Sequence, residues 1–124
     1  MDLGENYKKI KSDLPDFGTP EKAAKFFNLV SLFQKLYVDE KTNNILLCFK
    51  NETYPPGVYD YMSDKVKYEM IINIYNSEGE KLNKQEIILP KATLPFHFED
   101  NYIYTTETNG NKLEIVKYKF IKTE

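Results

Sequence analysis

The chain has 124 residues, 41% apolar and 15% aromatic, with 17 basic and 19 acidic side chains and a formal charge of -2. That composition belongs to one folded domain with a core and argues against disorder. Charges of both signs are interspersed without a long single-sign block, so a phosphate-binding groove is not expected and nucleic acid is a poor partner.

No apolar run reaches the roughly 20 residues of a membrane-spanning helix, and the first residues are too polar for a signal peptide. The compartment stays open, since a longer parent protein could carry an export signal. Cys48 is the single cysteine, so no internal disulfide can form; Leu46, Leu47 and Phe49 around it predict a buried, inert thiol.

In chain order, Tyr7, Ile10 and Leu14 form a weak helical stripe that Pro15 and Gly18 must end. Thr19-Pro20-Glu21 is a stronger start signal, combining a capping hydroxyl, a first-turn proline and an acid at the positive end of the dipole. It predicts a helix from about Pro20 to Asn28. Beyond Leu29 the pattern changes to short β-branched and aromatic runs, which predict strands at about Ser31 to Val38, Asn44 to Lys50, Tyr68 to Asn76, Lys81 to Leu89, Phe96 to Glu99, Tyr102 to Thr106 and Lys112 to Ile121. The intervening "DEKTNN", "NSEGEK" and "ETNGNK" read as hairpin turns, the last through Asn109-Gly110. The expected fold is all-β, with antiparallel strands in propeller-like blades. Residues 1–28 form an N-terminal helical or irregular segment, and 29–124 the β domain, divided into a blade at 29–90 and a partial blade at 91–124.

This division follows an internal repeat. "QKLYVDEKTNNILLCFK" from Gln34 aligns with "LPFHFEDNYIYTTET" from Leu94, placing Asp39 on Asp100, and "EMIINIYNSEGEKL" from Glu69 aligns with "KLEIVKYKFIKTE" from Lys112. Strand, turn and strand repeated twice is the grammar of propeller blades. Through "LYVDEKTNNILLCF", "INIYNSEGEKLNKQEIILP", "PFHFEDNYIYTT" and "KLEIVKYKF", about Leu29 to Ile121, the chain resembles the C-terminal part of uncharacterised bacterial six-bladed β-propeller proteins. The resemblance implies six blades where this chain supplies about two, so the chain is expected to be the tail of a larger propeller, an independent open sheet or a subunit that completes a ring by association. Open sheet edges invite edge-to-edge pairing, as in a ring of three two-blade chains. It also implies that the loop between the second and third strands lies on the ligand-binding face.

That loop is "ETYPPGVYDYMSD", residues 52–64. Tyr54, Tyr59 and Tyr61 can stack on sugar rings or a peptide, Glu52, Asp60 and Asp64 can accept hydrogen bonds, and Pro55-Pro56 limits the entropy lost on binding. The competing structural reading has the tyrosines covering the sheet edge and the acids keeping the loop solvated. Catalytic signals are scarce. His97, the one histidine, sits between Phe96 and Phe98, both expected to be buried, and lacks a marked partner. Pairing it with Cys48 would require two strand residues to meet. Asp60 with Asp64, or Glu99 with Asp100, are the carboxylate pairs a hydrolase would use. No zinc, nucleotide or haem motif is present and no cofactor is expected. Oxygen-rich "DEKTNN" and "SEGE" could suit calcium but lack the EF-hand spacing and read as ordinary turns. The sequence favours a non-catalytic binding or scaffolding module for a carbohydrate or peptide, with a hydrolase fragment or an inert truncated product as alternatives.

Overall fold

The computed structural model describes residues 2–9, 18–89 and 93–122. These residues form one helix, α1 (Pro20–Leu29), and seven strands: β1 (Leu32–Val38), β2 (Ile45–Thr53), β3 (Lys67–Tyr75), β4 (Ile87–Leu89), β5 (His97–Glu99), β6 (Tyr102–Asn109) and β7 (Lys112–Lys119). All pairings are antiparallel. They build a four-stranded sheet in the order β1-β2-β3-β4 and a three-stranded sheet in the order β5-β6-β7. Each sheet is a meander of consecutive strands, and the described residues form no closed ring of blades.

One apolar core joins the sheets. Leu46, Cys48, Met70, Ile72, Ile74 and Leu89 from the first sheet pack with Phe98, Ile103 and Phe120 from the second. The alternation of apolar residues on β2 aims Leu46 and Cys48 at this core. On β3 the alternation fails, because every residue from Met70 to Tyr75 is buried. The second face is covered by residues 2–9, which cross it without forming a helix. There Asn73 Nδ2 donates to the Leu3 carbonyl at 2.7 Å and Asn51 Nδ2 to the Asn6 carbonyl at 2.7 Å, while the Tyr75 hydroxyl donates to the Asp2 carbonyl. The Tyr7 ring meets Phe49 edge-on at 5.5 Å. These contacts give the buried asparagines the partners that burial demands. The expected helical stripe is therefore absent at Tyr7, and its other members, Ile10 and Leu14, lie outside the described residues.

Three further expectations are corrected. The fourth strand, expected from Lys81, is reduced to Ile87–Leu89 with one isolated bridge between Tyr75 and Lys81. Asn83 is the cause: its Oδ1 accepts from Ile74 N at 2.9 Å and its Nδ2 donates to the Gln85 carbonyl at 3.0 Å, so a side chain replaces the ladder. In the last hairpin Asn109 pairs with Lys112, so the tight turn is Gly110-Asn111, and Gly110 takes the positive φ of 63°. Phe96, expected to be buried, is 46% exposed and tilts against Tyr104.

The repeat has a structural counterpart at its two aspartate turns. Asp39, fully buried after β1, accepts from Lys41 N at 3.0 Å, Thr42 Oγ1 at 2.6 Å and, across to the second sheet, Asn101 N at 2.8 Å. Asn44 Nδ2 donates to Asn101 Oδ1 at 2.9 Å, and the Asn101 carbonyl accepts from Phe120 N at 2.7 Å. The turns of the two sheets are thus tied through one buried carboxylate.

Candidate functional site

The loop from Tyr54 to Val66 closes over one end of the first sheet, facing α1. Thr19 caps the helix by accepting from Lys22 N at 3.2 Å, and Pro20 opens its first turn. The helix buries Ala24 and packs Phe27 against a small cluster containing Tyr54 and Val66. Asn28, near its end, grips the loop: Tyr54 N donates to Asn28 Oδ1 at 2.6 Å, and Asn28 Nδ2 donates to the Tyr54 carbonyl at 3.0 Å. Both backbone groups of Tyr54 are thereby satisfied by one side chain.

Helix, sheet face and loop enclose a groove of about 470 Å³. Its polar floor is on β2, where Lys50 Nζ lies 2.9 Å from Glu52 Oε1 and 5.7 Å above the centre of the Tyr68 ring. The Tyr54 hydroxyl donates to Glu52 Oε2 at 3.4 Å, and the Tyr54 ring stacks on Phe27 with centroids 6.4 Å apart. Burial, helped by the nearby Glu52 carboxylate, raises the pKa of the Tyr54 phenol, so it remains a neutral donor. Tyr68 fixes the far wall, its hydroxyl donating to the Tyr61 carbonyl at 2.6 Å.

The structure brings Tyr54, Tyr59 and Tyr61 to this groove but not the two aspartates. Tyr54 is a buried structural wall, whereas Tyr59 and Tyr61 are 42% and 68% exposed and free to meet a ligand. Asp60 is an exposed turn former: its Oδ1 accepts from Met62 N at 2.9 Å and its carbonyl from Ser63 N at 2.9 Å. Asp64 is exposed beyond it. Glu52, an expected acceptor for a ligand, is buried and already paired with Lys50. Phe27, Lys50 and Tyr68 were not legible as site residues, because they come from three separate elements.

Cys48 and His97 do not meet. The thiol is wholly buried in the core, and burial pushes its pKa up to about 12, which removes the thiolate needed for nucleophilic attack. His97 lies on the outer face of the second sheet, 5.3 Å from the Tyr104 ring and 3.9 Å from Glu99 Oε2. Among the described residues no cluster of His, Cys, Asp and Glu is arranged to hold a metal ion, and no helix is long and apolar enough to cross a membrane. Compared with known proteins, the chain matches no family model, no curated protein and no solved structure.

Proposed function

We propose that the chain is a non-catalytic binding module that takes a carbohydrate or peptide ligand in the groove between α1 and the 52–64 loop. One observation carries this reading: two exposed tyrosines from the loop stand over a concave floor that holds a polar pair, Lys50 and Glu52. Aromatic walls with a few placed polar groups are the usual make-up of a small-ligand site. Tyr54 and Tyr68 hold the walls through hydrogen bonds that exist without ligand, so little ordering is left to oppose binding.

On the same reading the two meanders stand for neighbouring blades of a bacterial six-bladed propeller, of which the chain is either part of a longer protein or a subunit whose free edges pair with further copies. The successive meanders and the joined Asp39 and Asn101 turns support it.

The test is a glycan and peptide array probed with the chain and with a double variant, Tyr59→Ala with Tyr61→Ala. Retained spots for the chain that vanish for the variant, at an unchanged melting temperature, are the expected result. Equal patterns for the two proteins would overturn the proposal.

A further inference from the structure

We infer that the groove selects an uncharged saccharide over charged small molecules and over peptides, an inference that rests on reading the groove as the ligand site. The floor decides the charge. Lys50 and Glu52 form a compact ion pair whose side chains are 27% and 10% exposed. An anionic ligand drawn to Lys50 meets the Glu52 carboxylate 2.9 Å away, and a cation seeking the tyrosine faces meets the Lys50 ammonium already above Tyr68. Either charge gains from one partner and loses to the other, with desolvation to overcome as well.

A neutral polyol escapes this conflict. Of two neighbouring hydroxyls on a sugar ring, one accepts from Lys50 Nζ, the more exposed member of the pair, while the other donates to a remaining lone pair of Glu52, whose Oε1 already meets Lys50 and whose Oε2 accepts from Tyr54. The ring then presents its apolar face to Tyr59 or Tyr61, the exposed aromatic surfaces of the groove.

A peptide finds no equivalent match. Extended peptides gain affinity by adding to a free strand edge. At the floor, however, Lys50 is paired on both sides, with Leu32 on β1 and Met70 on β3, Glu52 is paired with Tyr68 on β3, and just beyond it Asn28 occupies both backbone groups of Tyr54. A peptide laid in the groove would bury its amides against rings without partners.

The experiment is amide chemical-shift mapping of the isotope-labelled chain, titrated separately with maltotriose, cellotriose, chitotriose, glucuronate, choline and an uncharged alanine tripeptide. The expected result is a saturable shift of amides around Ala24, Glu52 and Tyr59 to Tyr61 with at least one trisaccharide and none with the other three probes. Lys50→Met and Tyr61→Ala should each weaken that saccharide at least tenfold. Tyr61→Ala alters an exposed loop residue, so it remains informative if Lys50→Met fails to fold. Shifts of the groove amides by glucuronate, choline or the tripeptide alone would overturn the saccharide assignment and leave the groove as a binding site. No shift at the groove with any probe would overturn both.

Discussion

Asp39 is the residue on which the two sheets depend most directly. Burial alone would raise its pKa, but hydrogen bonds from the Thr42 hydroxyl and from the Asn101, Asp100 and Lys41 amides outweigh burial and hold its carboxyl at about 2. Because the folded pKa lies below the unfolded value, the contribution to stability is fully present above pH 4 and is lost as pH falls from there through about 2. A depression of this size corresponds to about 2 kcal/mol. Urea midpoints measured between pH 5 and pH 2 should fall steeply for the chain and less for Asp39→Asn, which should also be less stable at neutral pH. Parallel slopes would show that other carboxylates govern acid unfolding. Gly4 offers a second test. It sits at φ +85° against the Glu86 carboxylate, where an added Cβ would lie 1.9 Å from Glu86 Oε1, and Glu86 is held in an ion pair with Lys81. Gly4→Ala should cost about 1–3 kcal/mol in denaturant unfolding, from the left-handed backbone and the displaced carboxylate. The repeat made Asp39 and Asp100 recognisable as equivalents, yet not that Asp39 reaches the other turn, since a contact between repeats leaves no mark on the spacing within either.

At the scale of elements, the groove depends on Asn28, which fastens α1 to the start of the loop. Asn28→Ala would strip the Tyr54 N–H and carbonyl of their partners in a buried position, at a cost of about 1–3 kcal/mol. The amide of Tyr54 should exchange faster with solvent than in the chain, and any ligand of the groove should bind more weakly because its wall has loosened. Unchanged exchange at Tyr54 would mean that the loop holds itself. The helix and the presence of seven strands were legible because capping chemistry and short runs of β-branched and aromatic residues are local signals. The loop tyrosines were legible because aromatics in a proline-rich connection have no strand pattern to absorb them. Lys50 and Tyr68 read only as strand residues, and nothing local says that they meet diagonally across β2 and β3 beneath the loop. The shortened β4 was illegible for a different reason: Asn83 imitates a backbone partner, and an asparagine inside an apolar run looks like an ordinary polar position.

Taken as a whole, the molecule has two meanders sharing a core, and such an assembly must end in strand edges. Among the described residues β7 pairs on one side only, along eight residues, with Leu113 and Ile115 72% and 70% exposed beside its free ladder. Natural sheets blunt such edges with charge, and β7 does carry Lys112, Glu114, Lys117 and Lys119. Two of these lysines, both exposed, reach across the sheet face over the Tyr102 ring on β6, at 4.5 and 5.5 Å, which leaves the stretch from Leu113 to Val116 the least protected. An open edge of this kind can pair with another copy, and under the proposed propeller reading three chains of two blades each would make up a six-bladed ring. Light scattering coupled to size exclusion should find a discrete trimer. The Phe120 amide donates to the Asn101 carbonyl, so along the alternating ladder the amides of Tyr118 and Val116 face β6 and those of Lys117 and Ile115 face the free edge. Ile115→Pro, which removes an edge amide, should return the protein to a monomer. Because Ile115 also lies opposite Thr106 on β6, the variant's fold must be checked by amide shifts in the first sheet, which should not move. A chain that is monomeric at every concentration would overturn the ring and leave β7 an edge kept apart by its charges alone. A dimer would retain edge pairing while refuting the six-bladed count, since two chains of two blades supply only four.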